Sequence, residues 1–186
     1  GAAWRSEGLG EIPISANLSP RSFWDRGLPG RIRGILDEVG WPASLLCLEI
    51  TEGTLMAGDD PKSAMRRIRD LGVRLSIDDF GVGYSSLTNL RQLPLDYLKI
   101  DRSFIAGVPA DGGNVALIRT ILSLARGLGL TVVAEGVETE EQRLVLLAEG
   151  CPHAQGYLFG RPAPPADCAR LLRAGRLEVL DEAVAP

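Results

Sequence analysis

The run Arg74-Leu75-Ser76-Ile77-Asp78-Asp79-Phe80-Gly81-Val82-Gly83 closes a short apolar stretch with two adjacent carboxylates and a glycine turn. Neighbouring anions repel, and one keeps its proton unless a cation neutralises the pair. A positive group is therefore expected beside them. Polar residues recur at comparable points along the chain: Asn17 in SANLSP, Glu49 in LEITE, Lys99 and Asp101 in LKIDRSF, Glu135 in VVAEGVE and Gln155 in AQGYLFGRP. Lys99 and Asp101 stand two apart, so on a strand they point to the same side. A single polar strand end is ordinarily where the chain returns to water, but a whole series of them reads as one shared site. Oxygen donors from Asn, Asp and Glu suit hard cations such as Mg²⁺, Mn²⁺ or Ca²⁺. The one histidine, His153, reads as a loop or packing residue, which disfavours zinc. Carboxylates gathered around adjacent aspartates can hold two metals ~3.5–4 Å apart, an arrangement that hydrolyses phosphate esters. One aspartate bridging both ions would keep Asp78 and Asp79 ionised together. Gly81-Val82-Gly83 lacks the third glycine of a GxGxxG nucleotide loop and reads instead as a mobile turn carrying ligands past the metals.

The elements that must position these groups alternate. Strands are predicted at Ile12–Asn17, Leu45–Thr51, Val73–Asp79, Leu95–Asp101 and Leu130–Glu135, with a weaker one over His153–Leu158. Between them lie helical patterns. In GDDPKSAMRRIRDLG, Asp60 caps, Pro61 takes the first helical position and Gly72 closes, which sets Ala64, Ile68 and Leu71 on one face. In TEEQRLVLLAEG, Thr139 and Gln142 form a capping box ended by Gly150. Further helices are predicted over Arg21–Val39, Asn114–Arg126 and Ala166–Ala174. Strand–helix alternation with a repeat of roughly thirty residues implies right-handed βαβ units and a parallel sheet. A complete eight-unit barrel takes ~250 residues. About six units fit here, so the fold class is α/β, a TIM-like (β/α) barrel lacking its first part. All strand ends of such a barrel meet at one mouth, where its active sites lie.

Composition agrees with a globular domain: 45% of the 186 residues are hydrophobic and 24% charged. A net charge of −4 gives no footprint for a nucleic acid polymer, although a metal site can reverse the local field for a phosphate ligand. Cys47, Cys151 and Cys168 form no CxxC pair and leave one over, as expected in a reducing cytoplasm rather than in a disulfide framework. No run approaches the ~18 apolar residues of a spanning helix, and no secretory leader is expected. The opening GAAWRSEGLG reads as the end of a helix.

The pieces SANLSP, LEITE, DDFGVGYSSL, LPLDYLKIDRSF, VVAEGVET and QGYLFGRP, in this order and spacing, resemble the EAL domain family, the cyclic di-GMP phosphodiesterases of bacterial signalling. The resemblance runs nearly the whole length and implies one EAL-type domain over residues 1–186. It implies that Asn17 and Glu49 ligate one metal, that Asp78 bridges two and that Asp79 binds the second. Asp101 and Glu135 would complete the second site, with Glu135 also a candidate general base. Lys99 would contact the nucleophilic water or the phosphate. Gln155 would orient water or a ligand, and Glu138 would contact substrate or support the site. Glu52 would anchor the DDFGVGYSSL loop and couple it to the metal site and the dimer surface. For Glu52 and Glu138 the bland alternative is an ordinary surface or capping carboxylate. The implied reaction, with two Mg²⁺ or Mn²⁺ ions, is in-line attack of water on one phosphodiester of cyclic di-GMP, giving linear pGpG.

The resemblance departs at a few points. The Glu-Ala-Leu signature on the family's first strand, and the arginine after it, have no counterpart. A fragment of a larger protein is therefore expected, with upstream sensory or GGDEF-type domains, a homodimeric state and room for a membrane anchor in the full-length protein. Val82 stands where the family has threonine, and Pro152-His153 replaces an aspartate-containing pair. Two other readings are a non-catalytic receptor or scaffold that binds cyclic di-GMP, and an unrelated barrel hydrolase acting on sugars. Lys99 beside the aspartate pair favours phosphate over sugar.

Overall fold

The computed structural model describes residues 1–58, 60–82 and 90–174. Six strands form one parallel sheet in chain order: β1 (Ile14–Asn17), β2 (Leu46–Thr51), β3 (Arg74–Phe80), β4 (Tyr97–Ile100), β5 (Thr131–Ala134) and β6 (His153–Ala154). The helices are α1 (Ala2–Ser6), α2 (Pro20–Phe23), α3 (Leu28–Val39), α4 (Glu52–Met56), α5 (Pro61–Arg69), α6 (Arg102–Ala106), α7 (Gly112–Leu128), α8 (Glu140–Ala148) and α9 (Pro165–Arg173). Each strand pairs with its sequence neighbour, as βαβ crossovers require. Among the described residues the sheet is a curled part-barrel, open between β1 and β6.

Period-two alternation gives the sheet two faces of different character. Leu48, Ile50, Leu75, Ile77, Leu98, Ile100, Val132 and Ala134 point outward. They join Phe23, Ile32, Met65, Ile68, Ile105, Ile118 and Leu122 of the helices in one core. Each large aliphatic chain fully buried there contributes about 1.5–3 kcal/mol. The alternate residues Ser15, Cys47, Arg74, Ser76, Tyr97 and Thr131 line a concave groove of about 1080 Å³, together with Glu49, Lys99 and Gln155. Barrel interiors are usually filled by branched aliphatic residues. This one is polar, with Arg74 donating to the Tyr97 hydroxyl at 2.5 Å.

The helix predicted over Arg21–Val39 is two helices. The α2 helix stops at Trp24, the Asp25 carboxylate accepts from the Gly27 amide at 2.8 Å, and Pro29 starts α3 afresh in its first turn. Trp24 then packs across Gly58 and donates to the Thr54 carbonyl at 3.2 Å, which fastens α2 to α4. The strand predicted over His153–Leu158 is shorter than expected. After Ala154 the chain turns, and a Cβ on Gly156 would lie 2.2 Å from the Val137 carbonyl oxygen. Past Ala154 the contact continues as Gln155 N–H to the Ala134 carbonyl of β5 and then as loop bonds, Val137 N–H to the Gln155 carbonyl and Leu158 N–H to the Val137 carbonyl. The helix α5 matches its signals: Asp60 caps Ser63 at 3.0 Å, and Ala64 and Ile68 are buried beside Met65.

Candidate active site

The acidic pair lies at the end of β3, where the strand is irregular. Ile77 pairs with Leu98 and Phe80 with Ile100, so Asp78 and Asp79 both stand against Lys99. Two residues facing one is a β-bulge. Without it, the pleat would send adjacent side chains to opposite faces. The bulge places Asp79 at φ 53° and returns Phe80 to the core. Aspartate is among the few non-glycine residues that adopt such a φ readily. Carboxylate oxygens of Asp78, Asp79 and, from the end of β5, Glu135 all come within 4.8 Å of one another.

Lys99 is the positive group expected beside them. It is 5% exposed, and its ammonium contacts Glu49 at 2.7 Å, Asp78 at 3.3 Å and Glu135. Gln155 donates to the same Glu135 oxygen at 2.6 Å. Burial alone would lower the Lys99 pKa, but the hydrogen bonds to Glu135 and Glu49 outweigh it and hold the ammonium charged. Burial raises the Glu135 pKa, and the charges of Asp78 and Glu49 add to it against the pull of Lys99. Asp79 is raised in the same way, by burial and then by its neighbours Asp78 and Asp101. Among the described residues three carboxylates, Glu49, Asp78 and Glu135, contact this one ammonium and Asp79 lies within 4.8 Å of two of them, so the set is short of positive charge. All-oxygen donors in such a deficit fit hard divalent cations.

The other sequence-predicted residues fall around this centre. Asn17, exposed on the edge strand β1, pairs in register with Glu49. Asp101 caps α6, with one carboxylate oxygen accepting from Ser103 N–H at 2.9 Å. Its hydrogen bonds hold its pKa below the usual value although burial opposes them. Glu52 is 4% exposed in the first turn of α4, so it is not an ordinary surface carboxylate. Residues 83–87 of the loop it was expected to anchor lie outside the described residues. Glu138 is exposed and is not one of the three carboxylates gathered within 4.8 Å, and its N–H donates to the Gln142 side-chain carbonyl at 2.7 Å. His153 sits half-buried in the groove wall, its pKa lowered by burial. Sequence reasoning missed two features. The bulge carries no signature in a lone Asp-Asp pair, and the capping-box pattern revealed only one of the tasks of Gln142.

The EAL domain family matches residues 2–162. The chain belongs to the EAL domain family. It is 44% identical over 168 residues to the cyclic di-GMP phosphodiesterase NbdA of Pseudomonas aeruginosa, covering 90% of this chain and 22% of NbdA. The crystal structure of the EAL domain of Mycobacterium smegmatis DcpA superposes with a TM-score of 0.89 at 40% identity, over 95% of this chain and 80% of that one. Klebsiella pneumoniae BlrP1, solved as a manganese and cyclic di-GMP complex, gives a TM-score of 0.79 at 31% identity, over 87% of this chain and 42% of that one. The part-barrel is thus a portion of a TIM-like EAL fold, and the chain spans less than a third of the curated relatives' length. No helix among the described residues is long and apolar enough to cross a membrane.

Proposed function

We propose that this EAL chain forms the catalytic portion of a cyclic di-GMP phosphodiesterase that yields linear pGpG. The observation that carries this reading is the bulged Asp78-Asp79 pair gathered with Glu135 around Lys99. In this reading Asn17, Glu49 and Asp78 hold one divalent ion, and Asp78, Asp79, Asp101 and Glu135 hold a second, the ions being Mg²⁺ or Mn²⁺. Such ions, when bound, acidify water and neutralise phosphoryl charge. Glu135, with its proton affinity raised by burial, accepts the proton of the attacking water. The water oxygen bonds to phosphorus as the bond to the ribose O3′ breaks. That oxygen takes up a proton and leaves as a hydroxyl, which accounts for the 5′-phosphate of pGpG. Lys99 offers positive charge to the phosphate, and Gln155 holds Glu135 in place. In the same reading Glu138 contacts substrate or supports the site, and Glu52 anchors the loop that follows β3. The same reading takes residues 1–186 as one domain, in the cytoplasm and homodimeric, within a longer protein carrying sensory or GGDEF-type domains.

The test is chromatographic detection of pGpG from cyclic di-GMP with Mg²⁺, Mn²⁺ or a chelator, for this chain and for the longest available form of the protein. Metal-dependent pGpG from either supports the reading. Nucleotide binding without turnover by both replaces it with a receptor.

A further inference from the structure

We infer that Gln142 is a positioning residue that sets the Glu135 arm of the site against the Asp101 arm, an inference that rests on the phosphodiesterase reading above. Gln142 is 6% exposed, lies in the first turn of α8 and makes its side-chain bonds to backbone groups. A helix cap needs only its bond to the Thr139 amide, which is 3.1 Å long. Its carbonyl oxygen also accepts from Glu138 N–H at 2.7 Å. Its amide nitrogen reaches a different element and donates to the Ile105 carbonyl in α6 at 3.2 Å. That helix begins at Asp101. The segment from Glu135 to Thr139 is thereby fastened to the helix that Asp101 caps.

The fit between these two parts is close. A Cβ on Gly136 would lie 2.5 Å from the Arg102 Cβ, so the loop after Glu135 lies against the first residue of α6. On its other side the loop is held by the turn after β6, where Val137 N–H donates to the Gln155 carbonyl. Gln142 is a side-chain link on the α6 side. Groups hydrogen-bonded directly to metal ligands change metal affinity or activity by about 10–100-fold when removed. Gln142 acts one step further out, through the backbone on which Glu135 and Asp101 are carried.

The experiment compares Gln142→Glu, Gln142→Asn and Thr139→Ala with wild type in the full-length protein. The glutamate variant keeps the acceptor for Glu138 and Thr139 and loses the donor to Ile105. The asparagine variant keeps the amide on a shorter stem. Thr139→Ala removes the other half of the capping box and leaves the link to α6. The readouts are Mn²⁺ affinity by titration, kcat and KM for cyclic di-GMP, and the melting temperature. Both Gln142 variants are expected to lose about tenfold in Mn²⁺ affinity or kcat, the low end of the range for groups bonded directly to ligands, with KM within about twofold. Thr139→Ala is expected to melt earlier with both values kept. If a folded Gln142 variant behaves as Thr139→Ala does, the inference is overturned. Where wild type binds Mn²⁺ but turns over no cyclic di-GMP, the phosphodiesterase reading falls alone, and the affinities still decide the role of Gln142.

Discussion

Asp79 meets two demands at once: a left-handed backbone angle, φ 53°, and a carboxylate set among carboxylates. Asparagine tolerates the same angle, so Asp79→Asn removes the charge and keeps the turn. We expect this variant to melt within about 2 °C of wild type and to lose at least about 100-fold in pGpG production. Near-wild-type turnover would remove Asp79 from the metal site. The acidic pair and its need for a cation were legible in the sequence because charge repulsion depends only on adjacency. How both side chains reach one face was not, because the bulge is set by pairing against Lys99, a residue of another strand. Cys47 gives a second test at this scale. Burial, and then the charge of Glu49, push its thiol up to about 12 from 9.0. The folded state therefore keeps the proton that the unfolded chain releases. Its contribution to stability is whole below pH 9.0 and is lost as pH rises from 9.0 towards 12. Urea midpoints across that range should fall more steeply for wild type than for Cys47→Ala, and parallel curves would refute the assignment.

Among the elements, strand positions were readable and their ends were not. The first five strands lie within the spans expected from the apolar runs or extend one residue past them, because the outward face must match a core. The single helix expected over Arg21–Val39 failed at Trp24. There a side-chain turn at Asp25 and the fixed φ of Pro29 outweigh the apolar periodicity. The last strand stopped early because Gly156 approaches the backbone of Val137, a contact between distant segments that a one-dimensional pattern does not hold. Gly136 shows how closely such segments fit. It has φ +68° and lies against Arg102. Gly136→Ala should cost about 2–4 kcal/mol in chemical denaturation, from backbone strain together with overpacking. A loss below about 1 kcal/mol would mean that the loop can move off α6 freely.

For the molecule as a whole, the balance of charge at the mouth should couple folding to the binding of a divalent ion there, as the proposed function requires. Lys99 is the cation shared by Glu49, Asp78 and Glu135. Lys99→Met leaves these carboxylates without it, and breaking a buried ion cluster costs about 3–5 kcal/mol. For a chain of this size that is about 6–20 °C in melting temperature when metal is chelated. Mn²⁺ at about one hundred times its dissociation constant should return about 2.7 kcal/mol, or roughly 5–10 °C, to wild type. The variant should gain more from the metal than wild type does. Equal shifts in calorimetry with and without chelator would show that the ammonium and the metal answer to different carboxylates. The curled sheet, dry outside and polar within, was foreseeable as a part-barrel from its alternating strands and helices. The polar lining of Arg74, Tyr97, Ser76 and Thr131 was not singled out, because these residues read as ordinary breaks in apolar runs.

The bulge also leaves a spectroscopic handle. The Asp79 amide donates to the Asp78 carboxylate at 3.1 Å. A diamagnetic ion drawing on that oxygen competes with the amide proton for it. One backbone resonance, from a residue at the centre of the acidic cluster, should then move with Mg²⁺ occupancy and give a direct count of loaded molecules without any substrate.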